Sequence, residues 1–361
     1  MGFKIPLIKP NVGEEELEAV KRVFESGILT QGEETEKFEE EVAEFVGSKY
    51  AIATTSCTIA LFLSLRSLGI GVGDEVIVPD YTFPATANAV YACGATPVLC
   101  DIRLNEFQID PDYIEELITP KTKAIMPVDE FGLTADMKAI MDIAEEHELF
   151  VIEDAAPALG SRRWGKHAGT FGDAGCFSFH PRKLCAVGEG GMIVTDDEEL
   201  VTYLRMLRNH GLHEGKFIHN TLNFRLSNVQ AAIGRVQLQK LPETILERRE
   251  IAELRSDILS DNGVTVPDVP KDCFHTYQSY VVQIDDALKV RERLRAKGIE
   301  AQIGTYSLFQ LHAFSNTPQG LLGNSFKASL CALALPLYAG MGWYNEMKVI
   351  EELLKELGKI N

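Results

Sequence analysis

Short apolar runs alternate with helical patterns along the first half of the chain, and that alternation limits the folds open to it. Residues 50–53, 76–78, 97–99, 124–126 and 150–152 are nearly continuous apolar stretches. Such runs suit strands buried on both faces, whereas a strand with one face in water alternates apolar and polar side chains. Between them lie helical patterns such as residues 135–147, where Met137, Ile140, Met141 and Ala144 share one side. The alternation predicts an α/β fold, a mostly parallel, doubly wound sheet with helices on both faces. Two further strand-like runs, 174–179 and 192–195, are too close together for a helical crossover, so one antiparallel member is expected.

The pattern changes near residue 242. A long helix from Pro242 to about Asp261 precedes a strand over 280–284, a helix over 286–297, a short strand over 301–303 and a last helix over 345–357. This predicts a large domain over 27–241 and a smaller α+β C-terminal domain over 242–361. A helix over 14–26 carries Leu17, Val20, Val23 and Phe24 at helical spacing. No internal repeat or low-complexity linker is visible.

The formal net charge of −18 argues against a broad face for nucleic acid, though a small anionic ligand needs only local donors. No apolar run is long enough to cross a membrane, and the N-terminal residues lack the apolar core of a signal peptide. The seven cysteines include no C-x-x-C pair, so reduced thiols and a cytoplasmic location are expected. The histidines show no metal-binding spacing, and no metal site is expected.

Candidate chemistry gathers at strand ends. The run 174–179 stops at His180-Pro181, Lys183 follows, and Gly188-Glu-Gly-Gly191 leads into the next strand. The run 150–152 ends in Glu153-Asp154. A lysine amine and a strand-end aspartate are what pyridoxal phosphate requires: the amine condenses with its aldehyde, and the acid keeps the pyridine nitrogen protonated. Alone, the pair also reads as a surface cation and a helix cap. Thr54-Thr-Ser-Cys-Thr58 joins a strand to a helix, and reads equally as an anion site or an ordinary N-cap.

Phe177-Ser-Phe-His-Pro-Arg-Lys183 and Gly188-Glu-Gly-Gly191 resemble the DegT/StrS-type sugar aminotransferases. The resemblance continues through Ile5-Pro-Leu-Ile-Lys-Pro10, Ser26-Gly-Ile-Leu-Thr-Gln-Gly32, Gly73-Asp-Glu-Val-Ile-Val-Pro79, Thr82-Phe83 and Gly94-Ala-Thr-Pro97. Glu153-Asp-Ala-Ala156, Leu207-Arg-Asn-His-Gly211 and Asn223-Phe-Arg225 complete it. It implies a pyridoxal-phosphate-dependent transferase of fold type I, in which the N-terminal helix, residues 1–26 here, completes the small domain. Lys183 would carry the cofactor and act as the base. Asp154 would pair with the ring nitrogen and Phe83 would stack on the ring, a position that otherwise reads as a core phenylalanine. Cys57, Thr58 and Ser178 would hold the phosphate, with Cys57 where the family usually has glycine. Asn223 would reach the phosphate of a neighbouring subunit, which implies a homodimer with shared sites.

Two departures stand out. Pro157 replaces a Gln or His that bonds the cofactor's phenolic oxygen, and Asp129-Glu130 stands where the family often has histidine. The implied reaction moves an amino group, with L-glutamate as donor, to a nucleotide-linked ketosugar. A related dehydratase branch replaces the lysine with histidine, and a non-catalytic cofactor-binding regulator would not need Lys183, Asp154 and Phe83 together. Amino acid transaminases of this fold clamp the substrate carboxylate with an arginine. After residue 250 the arginines are Arg255, Arg291, Arg293 and Arg295, all read as solvated, so no clamp is expected. Arg208 and Arg225 are the cations expected near a diphosphate, and Thr305-Tyr-Ser-Leu308 is the substrate-side segment.

Overall fold

The computed structural model describes residues 2–360. Its centre is a seven-stranded sheet built from β1 (Tyr50–Thr54), β2 (Glu75–Pro79), β3 (Thr96–Cys100), β4 (Thr122–Ile125), β5 (Phe150–Asp154), β6 (Ala174–Ser178) and β7 (Gly191–Thr195). The order across the sheet is β1-β7-β6-β5-β4-β2-β3. All neighbours are parallel except β7, which runs antiparallel to both β1 and β6. The antiparallel strand is the one expected from the tight spacing after Lys183.

Alternate side chains of these strands enter different cores. Ile52, Val76, Val78, Ile152, Cys176 and Ile193 pack with Leu61, Leu65 and Val90 on one face. On the other, Ala53, Phe177, Met192 and Val194 meet Phe38, Leu238 and Leu241, while Ile77 and Val151 meet Met137 and Ile140. The period-two pleat thus serves two apolar faces, which is why the runs read as continuous rather than alternating.

The long helix spans Asn228–Asp261, not 242–261. Ser227 and Gln230 form a reciprocal capping box at its start. Pro242 lies inside it and is exposed, and it leaves the Leu238 carbonyl without its usual helical N–H donor. A mid-helix proline costs about 3 kcal/mol. Burial of Leu238, Leu241 and Ile245 against the sheet offsets this, at about 1.5–3 kcal/mol for each large side chain. A proline suits a first helical turn as well, so the sequence alone favours the wrong start.

Beyond Pro242 the same helix serves a separate core. Ala252 and Leu259 pack with β8 (Tyr280–Gln283), β9 (Gln302–Ile303) and β10 (Ala332–Leu335), an antiparallel sheet ordered β8-β10-β9. Helices Ala287–Ala296 and Trp343–Glu356 cover it. Ile5 joins this core and bridges to Ile299. The helix Glu14–Ser26 instead lies on the first half of the long helix, through Ala19 and Val23 against Val229, Ala232 and Val236. Its Leu17 and Phe24 are exposed.

Arg255 corrects the reading of the late arginines. It is fully buried, its Nε donating to Glu346 Oε1 at 2.7 Å and its Nη2 to the Pro336 carbonyl at 2.8 Å. It belongs to the inward stripe Arg248, Ala252, Arg255 and Leu259. Charged neighbours in sequence hid that stripe. Arg291, Arg293 and Arg295 remain outside the core, Arg291 and Arg293 pairing with Glu292 and Glu356. No described helix is long and apolar enough to cross a membrane.

Candidate active site

The chemistry-bearing segments all follow the carboxyl ends of strands on one side of the sheet. Cys57 follows β1, Thr82 and Phe83 follow β2, Glu130 follows β4, Asp154 ends β5, and Lys183 follows β6. In open α/β sheets this is the edge where ligands bind.

A candidate cup for an anion forms where three elements meet. Helix Cys57–Ser67 starts at Ser56, whose side chain accepts from the Ile59 N–H at 3.3 Å. Gly191 lies directly against that start: a Cβ there would fall 2.5 Å from the Cys57 nitrogen. Only glycine permits so close an approach. Ser178 is the register partner of Gly191 on the adjoining strand and is buried. Cys57 is buried while Thr58 is exposed on the first helical turn. Cys57 in the usual glycine position therefore leaves the helix N-terminus intact. The Cys57 thiol is pushed well above its ordinary pKa, chiefly by burial and further by Asp154, so it stays protonated.

Asp154 is buried, with Oδ2 accepting from the Thr86 hydroxyl at 2.8 Å and Oδ1 from the Ala156 N–H at 3.2 Å. Thr86 contacts Thr82 at 3.2 Å. Burial raises the Asp154 pKa, and the bonds from Thr86 and Ala156 and the charge of Lys183 oppose that rise. Lys183 is half-buried as a residue, and its amine more so. Burial pulls the amine below the usual lysine pKa, while Glu130, Cys57 and Asp154 push it back up. The amine and the acid are both buried and near enough for each charge to shift the other's pKa.

Phe83 is not a core phenylalanine. It is 61% exposed, its ring 6.2 Å from that of Tyr306. The short strand Tyr81–Thr82 pairs with Tyr306–Ser307, which brings the 305–308 segment beside it. Buried Asp80 fixes that segment, accepting from Ser307 Oγ at 2.6 Å and from the Phe309 N–H at 2.8 Å. Asn223 is exposed, and its Oδ1 accepts from the Arg225 N–H at 3.2 Å. The adjacent Phe224 carbonyl accepts from the Thr55 N–H at 3.1 Å, which sets the strip 223–225 beside the cup. Arg208 is buried and bonded to Glu39 and to the Ala53 carbonyl, so its charge is already neutralised. Arg225 donates to Asn209 and keeps part of its surface. Pro157 is buried and supplies no side-chain donor.

Sequence reasoning gave Glu130 no role. Its carboxyl is buried within the electrostatic reach of Lys183 and Asp154, and burial pushes its pKa up to about 7. Because Glu130 raises the Lys183 pKa, Glu130→Gln is expected to lower it. In cofactor-free protein an amine-selective reagent should then label Lys183 faster near neutral pH. The check is the pH of half-maximal labelling, read by peptide mass spectrometry; a midpoint that stays put or rises contradicts the pairing.

Solved structures carry the same fold. Aminotransferase TlmJ from Streptoalloteichus hindustanus is 34% identical, superposes with a TM-score of 0.94, and the match covers 98% of this chain and 99% of that one. The fold is that of the pyridoxal-phosphate-dependent transferases of fold type I, with a smaller α+β C-terminal domain. Residues 10–354 match the DegT/DnrJ/EryC1/StrS aminotransferase family, and the chain belongs to that family. It is similar to the GDP-perosamine synthase of Caulobacter vibrioides, 39% identical over 84% of this chain and 85% of the relative. It is also similar to a UDP-N-acetyl-3-dehydro-alpha-D-glucosamine 3-aminotransferase of Acidithiobacillus ferrooxidans, 41% identical over 80% of this chain and 79% of that protein.

Proposed function

We propose that the protein is a pyridoxal-phosphate-dependent aminotransferase that moves an amino group from L-glutamate to a nucleotide-linked ketosugar. The observation that carries this reading is the burial of the Lys183 amine and Asp154 within each other's electrostatic reach, close to a glycine-lined helix N-terminus, in a chain of an aminotransferase family. The donor set fits the cofactor: a buried acid for the ring nitrogen, an amine for the aldehyde, an exposed aromatic face at Phe83, and Ser178 with the amides of Cys57 and Thr58 for the phosphate. Pyridoxal 5′-phosphate, when bound, supplies the electron-poor ring that stabilises negative charge on the substrate carbon. Lys183 moves the proton at that carbon, and its lowered pKa keeps more of it in the neutral, basic form. Asp154 holds the positive charge that the ring nitrogen needs, and the Thr86 hydroxyl and Ala156 N–H fix its carboxylate in place.

The sugar acceptor is supported from two sides. The named relatives act on GDP- and UDP-linked sugars. Among the described residues of the C-terminal unit, Arg248 is committed to the Tyr277 and Gln278 carbonyls and Arg255 to Glu346, Arg249, Arg291 and Arg293 pair with glutamates, and Arg295 bonds the Ala301 carbonyl, so none stands free as a bidentate carboxylate clamp. Keto acids and nucleotide ketosugars, assayed side by side with glutamate as donor, test this. Turnover is expected on a nucleotide ketosugar, and efficient turnover of keto acids alone would overturn the reading.

The same reading includes a homodimer in which Asn223 completes the partner's phosphate cup. The support is its exposure and the uncovered Leu17, Phe24, Phe217 and Leu222 on the same chain. Mixed and refolded Lys183→Ala and Asn223→Ala chains should regain activity through hybrids with one intact site. Hybrids formed without activity would refute the shared site. A cytoplasmic setting belongs to this reading as well, supported by seven cysteines that are all unpaired.

A further inference from the structure

The side-chain amide of Gln278 touches the chain on both sides of Lys183. Its Oε1 accepts from the Leu184 N–H at 3.1 Å, and its Nε2 donates to the Arg182 carbonyl at 2.5 Å. An amide is the neutral side chain that carries an acceptor and donors together, so it can satisfy both peptide groups flanking one residue. Gln278 is 7% exposed, so the clasp is shielded from competing water.

Gln278 is itself held. Its carbonyl accepts from Arg248 Nη2 at 2.9 Å, and the Tyr277 carbonyl accepts from Arg248 Nε at 3.2 Å. Arg248 lies 2% exposed on the long helix. The neighbours of Gln278 in sequence hold the turn that carries Glu130: the Thr276 N–H donates to the Gly132 carbonyl at 3.2 Å, and the Ser279 N–H donates to the Phe131 carbonyl at 3.1 Å. Gly132 has φ +95°, and a Cβ there would lie 2.9 Å from the Gln278 nitrogen and 3.1 Å from the Pro157 carbonyl. Three loops, those of Lys183, Glu130 and Asp154, therefore meet one strip, residues 275–279, that leads into the C-terminal sheet.

We infer that Gln278 is a positioning residue, which aims the Lys183 amine at Asp154 and Glu130 by clasping the peptide groups on either side of it. The inference rests on Lys183 being the cofactor-bearing amine. Without the clasp, two enclosed peptide groups lose their partner, and the loop must shift toward water to satisfy them. The amine then moves with it. The charged and titratable groups around that amine are Glu130, Asp154, Cys57 and Arg182, and none of them is altered by substitution at 278.

The test uses Gln278→Met, which removes both bonds at similar volume, and Gln278→Glu, which keeps the acceptor and loses the donor. In the holoenzyme, kcat of Gln278→Met is expected to fall about 10- to 100-fold, the scale of a misplaced catalytic group, with the KM for the amino donor nearly unchanged. In cofactor-free protein the pH of half-maximal Lys183 labelling should rise toward that of a free lysine, because the amine is less enclosed. Gln278→Glu should fall between Met and wild type in kcat; its added carboxylate raises the labelling midpoint by charge alone, so only kcat is read from it. A folded Gln278→Met protein with wild-type kcat and an unmoved labelling midpoint overturns the proposal. If Gln278→Met does not fold, kcat of Gln278→Glu decides it, and a wild-type kcat there overturns it. A wild-type protein that binds no cofactor would defeat the functional reading instead, and the labelling midpoint would still decide the clasp.

Discussion

Lys183→Ala is expected to lower turnover by about a thousandfold or more. The substitution removes both the group that binds the cofactor covalently and the base that moves the proton, and a positioned base alone contributes about 10²–10⁴. The fold should survive, because the loop is held through backbone groups: the Lys183 N–H donates to the His180 carbonyl, and the Leu184 N–H and Arg182 carbonyl bond Gln278. The variant should still take up the cofactor through the phosphate cup and Asp154, but without the absorption band of the lysine-linked form. Absorbance and single-turnover rates with glutamate check both halves. Full turnover in the variant would remove Lys183 from the mechanism.

Asp154→Asn is the second large effect. Asparagine keeps the size and can still accept from Thr86 or Ala156, so cofactor affinity should change modestly. What goes is the negative charge that holds the ring nitrogen protonated. Removing one preorganised electrostatic group from a water-poor site costs about 100- to 1000-fold, and the single-turnover reaction with glutamate should slow on that scale. Burial already works against the ionised acid here, with Thr86, Ala156 and Lys183 in opposition. The prediction therefore concerns charge rather than shape. A variant that matches the wild-type single-turnover rate would mean that another acid serves the ring, with Glu130 the nearest candidate.

The two acids differ in how legible they were. Asp154 sits at the end of an apolar run, and strand-end acids are visible as punctuation in the sequence. Glu130 follows a strand too, but its meaning depends on a turn in which Phe131 takes φ +61° and on a lysine some fifty positions away. The sheet was readable because its strands are apolar on both faces and short. The helix beginning at Asn228 was not, because a proline in its interior resembles a start and the true cap, Ser227 with Gln230, is polar and modest. Arg255 was misread because the local text is charged, while burial is set by one stripe of a helix against a distant core. Phe83 reads in sequence as either a core residue or an exposed ring, and the fold leaves it exposed. Gln278 carries no signal at all in the sequence: it lies in a bend just after Tyr277, which takes φ +50°, and its two partners belong to a loop far upstream.

The account depends most on which side chain carries the cofactor. The purified protein, loaded with pyridoxal phosphate, should be reduced with borohydride, digested and mapped by mass spectrometry. The account predicts loss of the visible band and a single modified peptide, with the tag on Lys183. A tag on another lysine, or a protein that binds the cofactor with no covalent link, would contradict it.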